Sequence, residues 1–120
     1  MGIGKRVNKT FSSLGEANGY EVVNTSSNYT ARSNDLIVVD TSGATLPEGS
    51  TAYTITLPSS PKNGDIVLIM DGSGNAQNRP VLVDGVSSNI DGQADDLTCD
   101  VNYFDIKLTY NNGNWSLGGK

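Results

Sequence analysis

The stretch YTITLPSSPKNGDIVLIMDGSGN, from Tyr53 to Asn75, contains the clearest structural signal in the chain. Two apolar runs rich in β-branched residues flank a loop of proline, serine, asparagine and glycine, and a glycine-punctuated loop follows them. Pro58 ends the first run because proline has no N–H to donate to a β-ladder. The stretch therefore predicts two strands, 53–57 and 65–70, separated by a tight loop.

Similar short runs recur outward from this stretch at intervals of about ten residues, a spacing typical of sandwiches and barrels. The chain has 120 residues, which is enough for one compact core. We therefore predict an all-β protein: a single antiparallel β-sandwich, or a barrel-like domain, over residues 29–120. The further predicted strands are 35–40, 80–84, 97–101, 103–110 and 115–117, with a short turn-bounded element at 90–92 and a closing hairpin at 111–114.

Residues 1–28 keep neither helical nor strand periodicity, and their apolar residues are isolated. This segment cannot form a core of its own, so its apolar side chains would be buried only against something else. We predict a mostly irregular N-terminal docking arm. Its candidate contact residues combine positive charge with apolar anchors: Lys5, Arg6, Lys9, Phe11 and Leu14.

Charge is unevenly distributed between this arm and the rest of the chain. Residues 1–15 carry +3 and no acid, so a net charge of −5 for the whole chain leaves −8 for residues 16–120. An acidic body repels phosphates, and nucleic-acid binding is therefore not expected. No window is apolar over the length needed to cross a bilayer, and the N-terminus lacks the central block of a signal peptide. We expect a soluble protein with no membrane partner.

The run DIVLIM, residues 65–70, is apolar on both faces of its predicted strand. One face carries Ile66, Leu68 and Met70, and the other carries Val67 and Ile69. A strand with two apolar faces in so small a domain needs cover on both. Either the chain's own loops supply the second cover, or Val67 and Ile69 lie at a subunit interface.

Catalysis is not expected, because the chain has no histidine and thus no Ser-His-Asp or Cys-His arrangement. Four aspartates lie close in sequence and could bind calcium or form an acid/base pair. Their turn-like surroundings favour solvated side chains instead. We predict no enzyme, no metal site and no cofactor, while calcium binding remains an open alternative for Asp91, Asp95, Asp96 and Asp100.

Two other motifs also favour structural roles. The segment DGSGN from Asp71 resembles the start of an EF-hand loop, but Ala76 and Leu82 occupy the positions of the required glycine and glutamate. An EF-hand is therefore excluded. Cys99 is the only cysteine, so no disulfide can form within the chain, and a small buried thiol is expected.

Aromatic residues cluster near the C-terminal hairpin. Tyr103 and Trp115, with Tyr110 between them, could form a platform on which a glycan stacks. Core packing is the competing interpretation, and we favour it for Trp115 because a large ring on a short last strand would cover the core.

The order of these segments resembles a small β-rich module of tailed-bacteriophage virion proteins, including head decoration (cement) proteins, tail fibres and spikes. The resemblance covers residues 29–117 and is most specific at TITLPSSPKNGD with the strand and loop that follow it. Concordant segments are YTARSNDLIVVDTSG from Tyr29, IDGQADDLTCD from Ile90 and FDIKLTYNNGNWSL from Phe104.

The resemblance implies a virion component, a homotrimer made in the bacterial cytoplasm and located on the virion surface. Fibre versions of the module sit in long chains with shafts, whereas a short arm precedes it here. This difference favours a capsid decoration protein that docks on the major capsid protein of the phage head and stabilises the shell. The alternative is a tail-fibre, head-fibre or adaptor module that binds a host surface glycan or other tail proteins.

Overall fold

The computed structural model describes residues 20–43, 46 and 48–119. Every regular element in this part of the chain is a β-strand, which confirms the prediction of an all-β protein. The strands are β1 (Glu21–Thr25), β2 (Tyr29–Thr30), β3 (Asp35–Val39), β4 (Tyr53–Thr56), β5 (Ile66–Asp71), β6 (Val81–Asp84), β7 (Asn89–Ile90), β8 (Leu97–Cys99), β9 (Asp105–Asn111) and β10 (Asn114–Gly119).

The strands form two mixed sheets, with orders β1-β3-β5-β9-β10-β7 and β2-β4-β6-β8. Strands β1 to β6 alternate between the sheets, and each of β1 to β4 pairs in parallel with the strand two places later in the chain. The six strands therefore form three successive pairs, β1-β2, β3-β4 and β5-β6. Each pair contributes one strand to each sheet, and the pairs stack in parallel. Between the named strands, the pairs β5-β9, β9-β10 and β6-β8 are antiparallel, and β7 pairs in parallel with β10.

The prediction of an antiparallel sandwich was therefore wrong in its pairing. Strand periodicity is the same in parallel and antiparallel ladders, so the alternation seen in the sequence could not separate the two. The segments between paired parallel strands are long: Leu36 of β3 lies beside Leu68 of β5. Each such segment crosses to the other sheet and returns, as a parallel connection requires.

The hydrophobic core lies between the two sheets, and alternate residues of each strand point into it. In β3, Ile37 and Val39 are completely buried, while Leu36 and Val38 are only partly covered on the other side. The facing sheet contributes Ile55 and its neighbours. Full burial of such a side chain is worth about 1.5–3 kcal/mol, so the inward-facing side chains stabilise the contact between the two sheets.

The first strand corrects the predicted domain boundary. β1 lies within residues 1–28, the range predicted as an irregular arm, yet it pairs with β3 along its whole length. Its partial alternation places Val23 against the core and leaves Val22 exposed. The β domain thus begins no later than Glu21. The predicted arm residues Lys5, Arg6, Lys9, Phe11 and Leu14 lie outside the described residues.

The C-terminal hairpin has the turn that its sequence predicts. Asn112 and Gly113 have φ values of 50° and 84°, and they join the directly paired residues Asn111 and Asn114. Two successive positive φ values define the hairpin turn that Asn-Gly favours. No helix long and apolar enough to span a bilayer occurs within residues 20–43, 46 and 48–119.

Candidate interaction surfaces

Asp71, the last residue of β5, organises the loops at one end of the two sheets. Its side chain is 2% exposed and accepts five hydrogen bonds. Oδ1 accepts from the Thr41 hydroxyl (2.6 Å) and from the backbone N–H groups of Ser73 (3.0 Å) and Gly74 (2.9 Å). Oδ2 accepts from the backbone N–H groups of Ala76 (3.1 Å) and Tyr103 (2.9 Å).

These bonds connect three segments that are distant in sequence: the turn after β3, the loop after β5 and the turn before β9. Burial alone would raise the pKa of Asp71, but the hydrogen bonds from Thr41, Tyr103, Ser73 and Gly74 outweigh it, so its pKa lies below the usual value. Both oxygens of the carboxylate accept hydrogen bonds from protein groups, in the place where a calcium ion would bind in an EF-hand loop. This explains why DGSGN starts like a calcium loop without being one.

Two other aspartates hold turns in a similar way, Asp40 beside the Asp71 loops and Asp65 at the opposite end of β5. Asp40 accepts from the Ser73 hydroxyl (2.7 Å), and this bond, with those from Ser42, lowers the pKa of Asp40. Asp65 accepts from the Lys62 backbone N–H (2.8 Å) and from the Ser33 hydroxyl (2.7 Å), and these bonds lower its pKa. Each of Asp40, Asp65 and Asp71 thus fixes a turn through hydrogen bonds that favour its ionised carboxylate.

A buried aspartate also shapes the entry to β3. Asp35 is 2% exposed, and its Oδ2 accepts from the Tyr29 hydroxyl and the Arg32 backbone N–H, both at 2.8 Å. None of these carboxylates was predicted from the sequence to fix a loop or to belong to a site. Their available signal is positional: Asp35, Asp65 and Asp71 each stand at or beside a strand end, next to turn residues whose N–H groups need acceptors.

The structure separates the two predicted glycan-contact residues. Tyr103 is 70% exposed and has a positive φ of 61°, and its backbone N–H is held by Asp71. The Tyr103 ring lies over Gly74, where a Cβ would overlap it. Asp71 and Gly74 thus present one aromatic ring to solvent.

Trp115, in contrast, is completely buried. Its ring packs against Tyr110 with centroids 5.2 Å apart, and its indole nitrogen has no hydrogen-bond partner in the described structure. The prediction of Trp115 as a glycan contact was wrong, because its ring lies on the core side of the sheet. The competing prediction, core packing, is confirmed.

Val67 and Ile69, the candidate subunit-interface residues, are also completely buried. They point between the two sheets and belong to the core, so the chain itself covers this face of β5. Assigning the interface to them was wrong because the sequence did not show which face the second sheet covers. The opposite face of β5, with Ile66, Leu68 and Met70, is only partly covered.

That opposite face continues across the neighbouring strands. In the register of the sheet, Val22 of β1 lies beside Leu36 of β3, which lies beside Leu68, while Val38 lies beside Met70. On the other side, β9 places Lys107 beside Leu68 and Asp105 beside Met70. We call this surface the outer face: Val22, Asn24, Leu36, Val38, Ile66, Leu68, Met70, Asp105, Lys107 and Thr109.

Cys99 is buried, as expected from sequence. Burial, with a smaller contribution from Asp100, raises the pKa of this thiol to about 12. It lies beside an apolar groove of about 360 Å³. The groove is lined by β8, the turn after it, β9 and β10, with Leu97, Val101, Phe104, Ile106 and Leu117 contributing apolar side chains.

The four aspartates considered for calcium do not converge. Within the described ranges, no group of three or more histidine, cysteine, aspartate or glutamate side chains could hold a metal ion. Asp91 instead accepts from the Leu117 backbone N–H (2.9 Å), and its φ is 50°. Asp91 therefore caps a turn beside β10, in agreement with the preferred interpretation of this residue as a turn acid.

Comparison of the chain with protein-family models and with curated proteins finds no match.

Proposed function

We propose that this chain is a tailed-bacteriophage virion protein that decorates the head, docking on the major capsid protein and stabilising the shell. The observation that carries the proposal is the contrast between an acidic β domain and a short basic segment joined to its edge strand. Residues 1–15 carry +3, while residues 16–120 carry −8. The resemblance of residues 29–117 to phage virion modules supplies the biological setting.

The arrangement of the chain supports a docking role for residues 1–15. The chain enters β1 at Glu21, whose N–H donates to the Asn34 carbonyl at 2.9 Å. A segment attached to an edge strand can reach over a neighbouring capsomer without opening the domain. Apolar anchors and positive charge together, at Phe11, Leu14, Lys5, Arg6 and Lys9, suit an acidic or mixed capsid surface.

The loop structure supports exposure on a particle surface. A decoration protein resists shear and partial unfolding best when its loops are fixed to the domain. In this chain the Asp71 carboxylate connects three segments, and Asp65 connects the turn before β5 to Ser33. More than one copy per docking unit would multiply weak arm contacts.

The proposal is tested by particle binding with and without the arm. Purified chain is mixed with source phage heads stripped of it, and bound protein is measured after sedimentation. Deletion of residues 1–15 should abolish binding and leave the thermal midpoint unchanged, since β1 begins at Glu21. Undiminished occupancy by the deletion variant would contradict the proposal.

Two matched variants divide the arm contacts by chemistry. Replacing Lys5, Arg6 and Lys9 by glutamine should weaken binding mainly at low salt, because exposed charges are screened at high salt. Replacing Phe11 and Leu14 by alanine should weaken binding at both low and high salt. A variant with Lys62→Gln, outside the arm, serves as the charge control and should bind normally.

The second candidate is a tail-fibre, head-fibre or adaptor module that binds a host surface glycan. Tyr103 favours it, because this exposed ring is fixed by Asp71 and Gly74 at one end of the domain. Rigid aromatic rings stack on the apolar faces of sugars. Under this alternative, Tyr103→Ala reduces adsorption of phage to host cells while leaving head binding intact; under the first proposal, adsorption is unaffected.

A further inference from the structure

We propose that two copies of this chain associate face to face through the outer face, about a two-fold axis perpendicular to the strands. The proposal rests on the sheet register and not on the head-decoration role, so either can fail without the other. It replaces Val67 and Ile69, which the chain's own core covers, with the surface on the opposite side of the same strand.

The outer face is unusual because its three parallel strands expose apolar residues where a two-layer protein normally has polar ones. Leu36, Val38, Ile66, Leu68 and Met70 are all only partly buried, and Val22 is 58% exposed. Charge appears only where the face reaches β9, with Asp105 and Lys107, both exposed. An apolar patch bordered by charge is typical of a protein interface.

The residues form two parallel rows across the strands. The first row runs Val22, Leu36, Leu68, Lys107, and the second runs Asn24, Val38, Met70, Asp105. The rows are two residues apart along every strand and end in opposite charges on the same strand. This pattern is self-complementary under one particular symmetry operation.

A two-fold axis running between the rows, in the plane of the interface, places the first row of one copy on the second row of its partner. Lys107 then faces the partner's Asp105, and Asp105 faces the partner's Lys107. Leu68 falls on the partner's Met70, and the apolar parts of the two faces coincide. An isologous contact requires this kind of self-complementarity, and it is what identifies a second copy as the occupant.

The size of the face predicts weak association. Four adjacent strands span about 19 Å, and five residues along β5 span about 17 Å, so the footprint is about 320 Å² per copy. Stable interfaces bury about 800 Å² per partner. We therefore expect reversible dimers that grow with concentration.

Sedimentation equilibrium of the full chain at low salt, up to about 1 mM, tests the pairing. Wild type should fit a monomer–dimer equilibrium. Lys107→Asp and Asp105→Lys alone should each lower the association constant about tenfold or more. The two-fold axis forms two Lys107–Asp105 pairs in each dimer, so a single substitution disrupts both. The double variant, Asp105→Lys with Lys107→Asp, should restore association, because the reciprocal pairs are rebuilt with their signs exchanged.

Lys62→Asp and Asp95→Lys are the matched controls. Both residues are exposed and lie outside this face, and these substitutions change the net charge by the same amounts as Lys107→Asp and Asp105→Lys. They should leave the association constant unchanged. Denaturation midpoints of all variants establish that each is folded.

Four results would overturn the pairing. One is a wild type that stays monomeric throughout the range. Another is a trimer, which a two-fold contact cannot build, although it would leave the head-decoration role standing. The third is a wild type that dimerises but a double variant that does not recover, since another register would then hold the copies together. Dimerisation only after deletion of residues 1–15 would mean that the arm covers this face, and it would likewise contradict the proposal.

Discussion

Replacing Asp71 with asparagine tests whether one carboxylate holds the loop end of the domain together. The substitution preserves shape but converts one oxygen into an NH₂ group, which cannot accept a hydrogen bond. If that group takes the Oδ2 position, the N–H groups of Ala76 and Tyr103 lose their acceptor. If it takes the Oδ1 position, three donors lose theirs, from Thr41 and the loop after β5.

At least two donors are therefore left without an acceptor in either orientation. An unsatisfied buried group costs about 1–3 kcal/mol, so the free energy of unfolding should fall by about 3 kcal/mol. For a domain of about this size, that loss lowers the thermal midpoint by roughly 10–20 °C.

Urea denaturation followed by tryptophan fluorescence measures the effect. Trp115 is the only tryptophan in the chain and is completely buried, so its emission reports unfolding of the core. Asp95→Asn, in an exposed segment, is the matched control and should change stability by less than about 0.5 kcal/mol. An Asp71→Asn variant that unfolds at the wild-type urea concentration would refute the assigned role of this carboxylate.

Three further predictions follow from the burial and pKa of particular side chains. The lowered pKa values of Asp71, Asp40 and Asp65 mean that their stabilisation is present above the unfolded-state pKa of about 3.9 and is lost as the pH falls through the folded-state values; urea midpoints should therefore drop steeply below about pH 4, and less steeply in Asp71→Asn, whereas equal slopes would contradict this. Trp115→Ala should cost about 3–5 kcal/mol by circular dichroism, because a fully buried ring leaves a cavity; a loss under 1 kcal/mol would show that the ring is not central to the core. Cys99, with a pKa of about 12, should resist a thiol reagent at pH 8 until the chain unfolds; rapid labelling of the native protein would mean that the groove beside it opens.

Much of the strand content follows from the sequence because local alternation and turn residues act over a few positions. The runs at β3, β4, β5, β6 and β9 and the Asn112-Gly113 turn were predicted near their observed places. β1 was missed because only Val23 of its five residues packs on the core while its neighbours are polar or exposed. Edge strands carry a weak periodic signal for this reason.

Sheet pairing and the direction of each face depend on contacts between distant residues, which the sequence does not display. β5 is apolar on both sides, so nothing local indicates that Val67 and Ile69 turn inward. The pairing of β5 with β3 and β9 decides which of its faces turns inward, and the same register creates the two rows of the outer face. The role of Asp71 was missed for a related reason, since two of its donors, Thr41 and Tyr103, come from other parts of the chain.

The head-decoration role is tested most directly by locating the protein on the particle. Intact source particles are labelled with gold-conjugated antibody raised against the full chain and viewed by electron microscopy, with particles lacking the protein as the control. The proposal predicts gold distributed over the heads. Gold confined to tails or fibre tips, or an absence of gold on particles shown by mass spectrometry to contain this chain, would contradict it.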